Sequence, residues 1–314
     1  MSYNVLVDEQ LPESFLVLLD DNLDIFQLAD LEPKDARYSG MNGFLTYGHM
    51  PVTGEIMDRM PNLRVISNFG VGVDHINLDD ARKRAIPVGN TPNVLDGAVA
   101  DMTFALMMAA ARNIVIGDRY ARSPEFTHYD PSLLHGLEIH DRVIGIVGMG
   151  NIGREVAKRA RGFDMTILYH NRHRDMDAES KLDVTYATLD DLLASSDFVC
   201  LNVPLTEDTR DLIGAAELNR MKSTGILVNM ARGAVVDHEA LVDALSTNQI
   251  AGAALDVTEP EPLPRDHPLL NMHNAIIAPH LGSATVQTRQ AMAQLTVDNL
   301  MAGLSGQELI RRIA

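Results

Sequence analysis

Short apolar runs rich in valine, isoleucine and leucine alternate with helical segments along most of the chain. This alternation is typical of parallel sheets in an α/β architecture. The pattern predicts two series of strands. Strands of the first series are expected at residues 4–7, 43–46, 64–68 and 87–89. Strands of the second series are expected at residues 143–147, 165–169, 198–202, 225–229, 251–256 and 275–278.

One long helical pattern lies between the two series of strands, and another follows the second series. A pattern rich in alanine and methionine at residues 96–121 comes after the helix-breaking residues 90–93 and predicts one long helix. The final pattern, at residues 285–304, is expected to pack back onto the first series, which would make the N-terminal domain discontinuous. We therefore expect a substrate domain formed by residues 1–95 and 287–314, and a dinucleotide-binding domain formed by residues 96–286.

Composition narrows the possible partners. A length of 314 residues favours two domains over one core, and a formal net charge of -17 disfavours nucleic acid and anionic membranes as partners. The single cysteine, Cys200, excludes an internal disulfide, and no cluster has the spacing of a metal site. Because the chain shows neither a signal-peptide pattern nor a membrane-length apolar run, we expect a cytoplasmic protein without membrane contact.

The first strand of the second series runs into a Gly-x-Gly-x-x-Gly motif followed by a helical pattern. Gly148 permits the tight turn, Gly150 lets the backbone approach a pyrophosphate, and Gly153 lets helix and strand pack closely. The helix opens with Asn151 and Ile152, and the N–H groups of a helix N-terminus favour phosphate. This context predicts a dinucleotide site, the alternative being a glycine-rich turn without a ligand.

The next predicted strand ends in the segment Tyr169-His170-Asn171-Arg172-His173-Arg174. An NAD site usually places an acidic residue there, against the ribose hydroxyls, and this segment contains none. Arg172 and Arg174 can instead pair with a 2′-phosphate, whose geometry suits two guanidinium hydrogen bonds. The segment predicts NADP(H) as the preferred cofactor with NAD(H) possible, although two solvated surface arginines are the simpler alternative.

Three later strands of the second series are each followed by a polar side chain that a structural loop would not require. These are Arg232, Glu261 and His280. Because the carboxyl ends of parallel strands gather at one edge of a sheet, we expect the three to lie close together. Each alone has an ordinary explanation, as a capping arginine, a surface carboxylate or a structural histidine, and only their shared position favours a catalytic site.

The chemistry of ketone reduction accounts for these three side chains. Hydride arrives at the carbonyl carbon while negative charge grows on the oxygen, so a nearby acid must donate a proton. His280 can do so near neutral pH, and an adjacent carboxylate such as Glu261 favours its protonated form. Arg232 can hold a substrate carboxylate through two parallel hydrogen bonds. The predicted reaction is reduction of a small anionic 2-keto acid to a 2-hydroxy acid.

The chain resembles the D-isomer-specific 2-hydroxyacid dehydrogenase family over nearly its whole length. The segments that carry the resemblance are Asn68-Phe69-Gly70-Val71-Gly72-Val73-Asp74, the glycine motif, Pro204-Leu205-Thr206-Glu207-Asp208-Thr209, Asn229-Met230-Ala231-Arg232-Gly233, residues 256–262 and Ala278-Pro279-His280-Leu281-Gly282-Ser283. The resemblance implies a Rossmann-type doubly wound parallel sheet and a second, smaller flavodoxin-like α/β domain, with a cleft between them.

The resemblance also implies a role for individual residues. Arg232 would bind the substrate carboxylate, His280 would be the acid/base, and Glu261 would pair with His280. Val71 and Gly72 would offer backbone N–H groups to the substrate. The residues implied to border the cofactor, besides those of the glycine motif and the two arginines, are Asn171, Pro204, Thr209, Met230, Ala231, Asp256 and Gly282.

Within the family, residues 169–172 resemble the NADP-using glyoxylate, hydroxypyruvate and 2-ketogluconate reductases. The family resemblance also implies a homodimer, built around residues 96–121 and the loop after them, and a D-2-hydroxy acid product. The chain has no tryptophan, whereas the segment similar to residues 129–136 carries tryptophans in animal glyoxylate reductases, so strict glyoxylate specificity is not expected. An NAD-dependent phosphoglycerate-type dehydrogenase and a non-enzymatic, dinucleotide-sensing corepressor-like protein stay open as alternatives. A formate dehydrogenase is disfavoured because similar formate enzymes have an amide in place of Glu261.

Overall fold

The structure, a computed structural model, describes residues 2–314. The chain forms two compact units, Met1–Leu95 with Thr285–Ala314, and Asp96–Ala284. The second boundary lies two residues before the one expected from the sequence. Each unit is built around one parallel sheet, five-stranded in the first and seven-stranded in the second.

The first unit has the strand order β2-β1-β3-β4-β5, which is that of flavodoxin-like sheets. Its strands are β1 (Tyr3–Val7), β2 (Leu23–Gln27), β3 (Gly43–Thr46), β4 (Val65–Asn68) and β5 (Val88–Gly89), and its first three helices are α1 (Glu13–Leu16), α2 (Gly54–Asp58) and α3 (Leu78–Lys83). Every residue of β3 and β4 is buried, because helices cover both faces of a parallel sheet.

Strand β2 was not predicted. Its sequence, Leu-Asp-Ile-Phe-Gln, mixes polar and apolar residues, and no residue of it is fully buried. The strand lies at the edge of the sheet and pairs only with β1, in parallel register from Tyr3 opposite Leu23 to Val7 opposite Gln27. An edge strand can remain half exposed, so its apolar pattern is weaker than that of a central strand.

The second unit contains seven strands and seven α-helices. Its elements are α4 (Asp96–Ala111), α5 (Ile114–Ala121), β6 (Val143–Val147), α6 (Asn151–Arg161), β7 (Thr166–His170), α7 (Met176–Leu182), β8 (Thr185–Tyr186), α8 (Leu189–Ser195), β9 (Phe198–Leu201), α9 (Ala215–Arg220), β10 (Ile226–Asn229), α10 (His238–Ser246), β11 (Gly252–Leu255) and β12 (Ala275–Ile277). Strand β8, which is two residues long, was also not predicted.

The strand order of this sheet is β12-β11-β10-β9-β6-β7-β8, and all pairs are parallel. The chain starts at β6, proceeds outward to β8, returns to β9 and continues in the opposite direction, which is the Rossmann order with one further strand. The reversal falls between β6 and β9. Ligands of open α/β sheets bind at the carboxyl ends of the strands beside such a reversal, so the fold itself points to this edge.

The predicted long helix at residues 96–121 is two helices. Asn113 lies between α4 and α5 with a φ of 54°, a left-handed conformation that ends the first helix. Helix α4 is apolar around most of its circumference because it packs within the unit against α6 and the sheet, with Phe104 stacked on Phe163. In residues 2–314, no single helix is long and apolar enough to cross a membrane, while the bent pair α4–α5 meets the criterion by length and composition alone.

The last helix, α11 (Val286–Leu304), completes the first unit. Thr285 caps it by accepting the Thr288 N–H at 3.2 Å. The helix lies against β3, β4 and β5, and a Cβ atom at Gly303 would come within 2.4 Å of Val65. The Ser67 hydroxyl on β4 donates to the Thr296 carbonyl at 2.7 Å, so buried polar groups as well as apolar packing join the two segments.

Candidate active site

Three glycines with different surroundings shape the loop between β6 and α6. Gly148 has a φ of 100°, which favours glycine, and its N–H donates to the His170 carbonyl at 2.9 Å. A Cβ atom at Gly153 would lie 2.1 Å from the Gly148 carbonyl oxygen, whereas a Cβ atom at Gly150 would meet no heavy atom within 4 Å. The open space at Gly150, beside the N-terminus of α6, fits a pyrophosphate.

The glycine loop is supported from the neighbouring strand. The side-chain Oδ1 of Asn171, directly after β7, accepts the Met149 N–H at 2.7 Å. This hydrogen bond fixes the backbone between Gly148 and Gly150 without any contribution from a ligand. Asn171 therefore has a structural role in shaping the loop, and its contact with the cofactor stays a prediction.

The two arginines after β7 have different surroundings. Arg174 donates from Nε and Nη2 to the two carboxylate oxygens of Glu179, at 2.6 Å each, and the Tyr169 hydroxyl donates to Glu179 Oε1 at 2.8 Å. The Arg174 hydrogen bonds hold the pKa of Glu179 below its usual value. The Arg172 side chain is 80% exposed, with Nη1 3.9 Å from Asp208 Oδ2. The two arginines are therefore not equivalent, since the Nε–Nη2 edge of the Arg174 guanidinium already contacts a carboxylate.

The loop after β9 contains the expected residues Pro204 and Thr209. The Thr209 hydroxyl donates to the Pro204 carbonyl at 2.6 Å and accepts the Thr206 N–H at 2.8 Å, which closes the loop into a compact turn. Just before this turn, both side-chain polar atoms of Asn202 are buried and have no hydrogen-bond partner. A buried amide without partners is costly, so Asn202 marks a place where a bound molecule would supply them.

Asn229 organises the backbone that carries Arg232. It is fully buried at the end of β10, where its Oδ1 accepts the Ala231 N–H at 3.0 Å and its Nδ2 donates to the Arg232 carbonyl at 2.9 Å. The guanidinium Nη1 of Arg232 donates to the Ala231 carbonyl at 2.9 Å, which orients the side chain. Met230 and Ala231, expected beneath the cofactor, are themselves nearly buried in this turn.

Asp256 organises the backbone of the turn that carries His280. The Leu281 N–H donates to Asp256 Oδ1 at 2.7 Å, and the Gly282 N–H donates to Oδ2 at 2.8 Å. Burial raises the pKa of Asp256, and the two N–H groups oppose that rise. His280 itself has a φ of 56°, an uncommon conformation for a residue with a side chain. Strain of this kind is concentrated at functional sites, where the surroundings impose it.

His280 and Glu261 are in direct contact. His280 Nδ1 lies 2.7 Å from Glu261 Oε1, and the two side chains are 32% and 37% exposed. The second carboxylate oxygen of Glu261 accepts the Thr258 N–H at 3.4 Å. A carboxylate on Nδ1 fixes the ring orientation and leaves proton transfer to Nε2, which is the arrangement that a histidine acid/base requires.

Comparisons with known proteins identify the family of the chain. Residues 104–282 match the NAD binding domain of the D-isomer specific 2-hydroxyacid dehydrogenases. A glyoxylate reductase of Korarchaeum cryptofilum is 42% identical over 313 residues, which cover 98% of this chain and 94% of the relative. The chain belongs to the D-isomer-specific 2-hydroxyacid dehydrogenase family.

Two other members of the family are similar over nearly their full length. Glyoxylate/hydroxypyruvate reductase B of Salmonella paratyphi C is 40% identical, with 98% of this chain and 96% of the relative covered. The crystal structure of an NADPH-dependent glyoxylate/hydroxypyruvate reductase from Sinorhizobium meliloti, in complex with NADP and malonate, has a TM-score of 0.91 and 32% identity, with 100% of this chain and 97% of that chain covered. The protein is an oxidoreductase of the 2-hydroxyacid dehydrogenase type with a nicotinamide dinucleotide cofactor.

In this dehydrogenase, the sequence alone did not reveal three residues near the expected ligands. Asn202 and Asn229 are asparagines at strand ends, where a polar residue is common, so only burial distinguishes them. Glu179 lies in α7, five residues after Arg174, which precedes the helix. Because only one of the two residues is helical, this spacing does not predict that their side chains meet. The expected substrate contacts Val71 and Gly72 lie in the first unit, in a loop whose carbonyls accept from Asn90 and Asn68 at 2.9 and 3.0 Å.

Proposed function

We propose that the protein reduces a small 2-keto acid, such as glyoxylate or hydroxypyruvate, to the D-2-hydroxy acid with NADPH. The observation that carries this proposal is the 2.7 Å contact between His280 and Glu261 at the carboxyl edge of a Rossmann sheet that also positions Arg232. Support for the substrate class comes from the glyoxylate and glyoxylate/hydroxypyruvate reductases to which the chain is similar.

The proposed reaction uses the three side chains in separate roles. The bound cofactor would supply hydride to the carbonyl carbon. Arg232 would hold the substrate carboxylate and help to polarise the ketone. As negative charge develops on the oxygen, His280 would transfer the proton from Nε2, and Glu261, on Nδ1, would stabilise the protonated ring before transfer. The same residues in reverse would accept a proton from the hydroxy acid.

We propose Arg172 as the principal contact of a cofactor 2′-phosphate. The preference for NADPH rests on the lack of an acidic residue in the segment 171–174 and on the exposed guanidinium at residue 172. Arg174 would contribute less, because Glu179 already occupies its Nε–Nη2 edge and leaves only the Nη1–Nη2 end for a phosphate. Arg172→Ala should therefore erode the NADPH over NADH preference more than Arg174→Ala does, and equal effects would contradict this ranking.

Further expectations concern assembly and location. We propose a homodimer, which is supported by large apolar side chains exposed in and after α5, among them Ile114 at 57% and Tyr129 at 80%. A cytoplasmic location, cofactor contacts from the glycine motif, Pro204, Thr209, Met230, Ala231, Asp256 and Gly282, and substrate contacts from Val71 and Gly72 stay predictions.

One substrate panel tests the proposed function. Glyoxylate, hydroxypyruvate, phenylpyruvate and 2-ketogluconate are each offered with NADPH and with NADH, and cofactor oxidation is followed at 340 nm. Wild type should reduce at least one acid, and His280→Ala should lower kcat by about 10²–10⁴ with cofactor binding preserved. Oxidation of 3-phosphoglycerate with NAD⁺ but not with NADP⁺ would favour the phosphoglycerate-type alternative. Cofactor binding without turnover of any acid would favour a dinucleotide-sensing binding protein.

A further inference from the structure

The turn that carries Glu261, residues 258–261, is hydrogen-bonded to a histidine of α10. His238, the first residue of that helix, is 8% exposed and contacts the backbone of this turn at Glu259. Its Nδ1 is 2.9 Å from the Val236 carbonyl oxygen, and the Glu259 N–H donates to its Nε2 at 3.4 Å. His238 therefore connects the start of α10 to the backbone two residues before Glu261.

We propose that His238 is a positioning residue that keeps Glu261 in contact with His280. The inference rests on the proposed function for its catalytic consequence, while the positioning itself is a statement about geometry. In this role, His238 acts through the Glu259 backbone.

Only one form of the His238 ring satisfies both partners. The Val236 carbonyl can only accept, so Nδ1 must carry the proton, and the Glu259 N–H can only donate, so Nε2 must carry the lone pair. This is the neutral tautomer protonated on Nδ1. Protonation of Nε2 would place a hydrogen against the Glu259 N–H and remove the attachment.

The surroundings favour that neutral form. Burial lowers the pKa of His238, and the nearby His267 ring, 6.3 Å away between centroids, lowers it further. The Val236 carbonyl and the carboxylates of Glu259 and Asp237 oppose the shift but do not cancel it. The attachment of the turn should therefore persist at pH values where an exposed histidine is largely protonated.

Hydrogen bonds within residues 258–261 connect Glu259, which His238 holds, to the side chain of Glu261. The Thr258 hydroxyl donates to the Pro260 carbonyl at 3.0 Å, and the Thr258 N–H donates to Glu261 Oε2 at 3.4 Å. Gly233 packs directly beneath it, since a Cβ atom there would lie 2.0 Å from the Thr258 carbonyl carbon. Residues 258–261 therefore move together, and a shift at Glu259 moves the carboxylate of Glu261.

Two substitutions separate the two hydrogen bonds of His238. His238→Gln can place its Oε1 near the position of Nε2 and keep an acceptor for the Glu259 N–H, whereas His238→Asn reaches only the position of Nδ1 and keeps a donor for Val236. His238→Asn should lower kcat about tenfold, less than the ~10²-fold effect of a 1 Å misplacement, with the KM for NADPH unchanged. His238→Gln should stay within about twofold of wild type.

A second readout does not depend on turnover. The downfield proton NMR signal of the His280 Nδ1–H, identified by its loss in His280→Ala, reports the contact with Glu261. It should disappear in Glu261→Gln, broaden or move in His238→Asn and persist in His238→Gln. Thermal unfolding of both His238 variants provides the stability control.

The outcomes separate this inference from the proposed function. Equal behaviour of His238→Asn and His238→Gln in both readouts, or a kcat loss in both that follows their loss of stability, would overturn the positioning role. If wild type reduces no 2-keto acid, the proposed function fails, and the NMR signal still decides whether His238 positions Glu261.

Discussion

The glycine loop permits a prediction in which neighbouring glycines have opposite consequences. Gly153→Ala places a methyl group 2.1 Å from the Gly148 carbonyl oxygen, where ordinary contacts begin at 3.4 Å. Helix α6 must therefore move away from β6, because both partners are backbone and neither can rotate aside. Gly150→Ala adds the same methyl group where no heavy atom lies within 4 Å, and the φ of -78° at this residue suits alanine.

The magnitudes follow from this geometry. Overpacking of a core costs about 1–3 kcal/mol, and we expect Gly153→Ala to fall near 3 kcal/mol because the clash involves two rigid segments. With a urea slope of about 3 kcal/mol per molar, the unfolding midpoint should fall by about 1 M. Gly150→Ala should leave the midpoint within the equivalent of about 0.5 kcal/mol of wild type.

Cofactor binding, unlike stability, should be weakened by Gly150→Ala. The methyl group of Gly150→Ala occupies the space assigned to the pyrophosphate, so the Kd for NADPH, measured by the cofactor's own fluorescence, should rise at least about tenfold, or about 1.4 kcal/mol. Gly117→Ala, in α5 and also without neighbours within 4 Å, is the matched control and should change neither quantity adversely. The reasoning is refuted if Gly150→Ala binds NADPH as wild type does, or if Gly153→Ala unfolds at the wild-type midpoint.

Three other outcomes are expected. Asp256→Asn should lower the free energy of unfolding in urea by about 1–3 kcal/mol. Asp256 accepts the N–H groups of Leu281 and Gly282 on its two oxygens, and an amide has only one oxygen, so one N–H group loses its acceptor. Burial raises the pKa of Asp197, but the Lys222 ammonium at 2.7 Å and a backbone N–H outweigh it and leave the pKa lowered. Asp197 thus stabilises the fold above about pH 4, and the midpoint gap between wild type and Asp197→Asn should close as the pH falls through that lowered pKa. Burial raises the pKa of the Cys200 thiol to about 12, so a thiol reagent at pH 8 should label only unfolded protein, and labelling of the folded chain would show an opening near β9.

Most of the fold follows from local pattern. The central strands are continuous apolar runs because both faces are covered, and such runs stand out in the sequence. The two strands that were missed, β2 and β8, lie at sheet edges, where partial exposure dilutes the pattern. The break between α4 and α5 was missed because Asn113 adopts a left-handed conformation inside an otherwise helical composition.

The candidate site was predictable where it depends on the edge of the sheet and unpredictable where it depends on side-chain contacts. Arg232, Glu261 and His280 follow strands of one parallel sheet, so topology alone brings them to the same edge. The pairing of Arg174 with Glu179 joins a loop to a helix. The contact of His238 with Glu259 joins α10 to a distant turn. Neither has a signature in residue spacing, and only coordinates reveal them.

The division of the first unit between two distant segments has a consequence for biosynthesis. Residues 2–95 leave the ribosome first, but the face of β3 and β4 that α11 covers must wait until residues 96–284 have been made. At about 5–20 residues per second, that delay is roughly 10–40 s. The second unit can thus be complete before the first. Until α11 has been made, the face of the N-terminal sheet that it covers stays exposed as an apolar surface of the kind that chaperones bind.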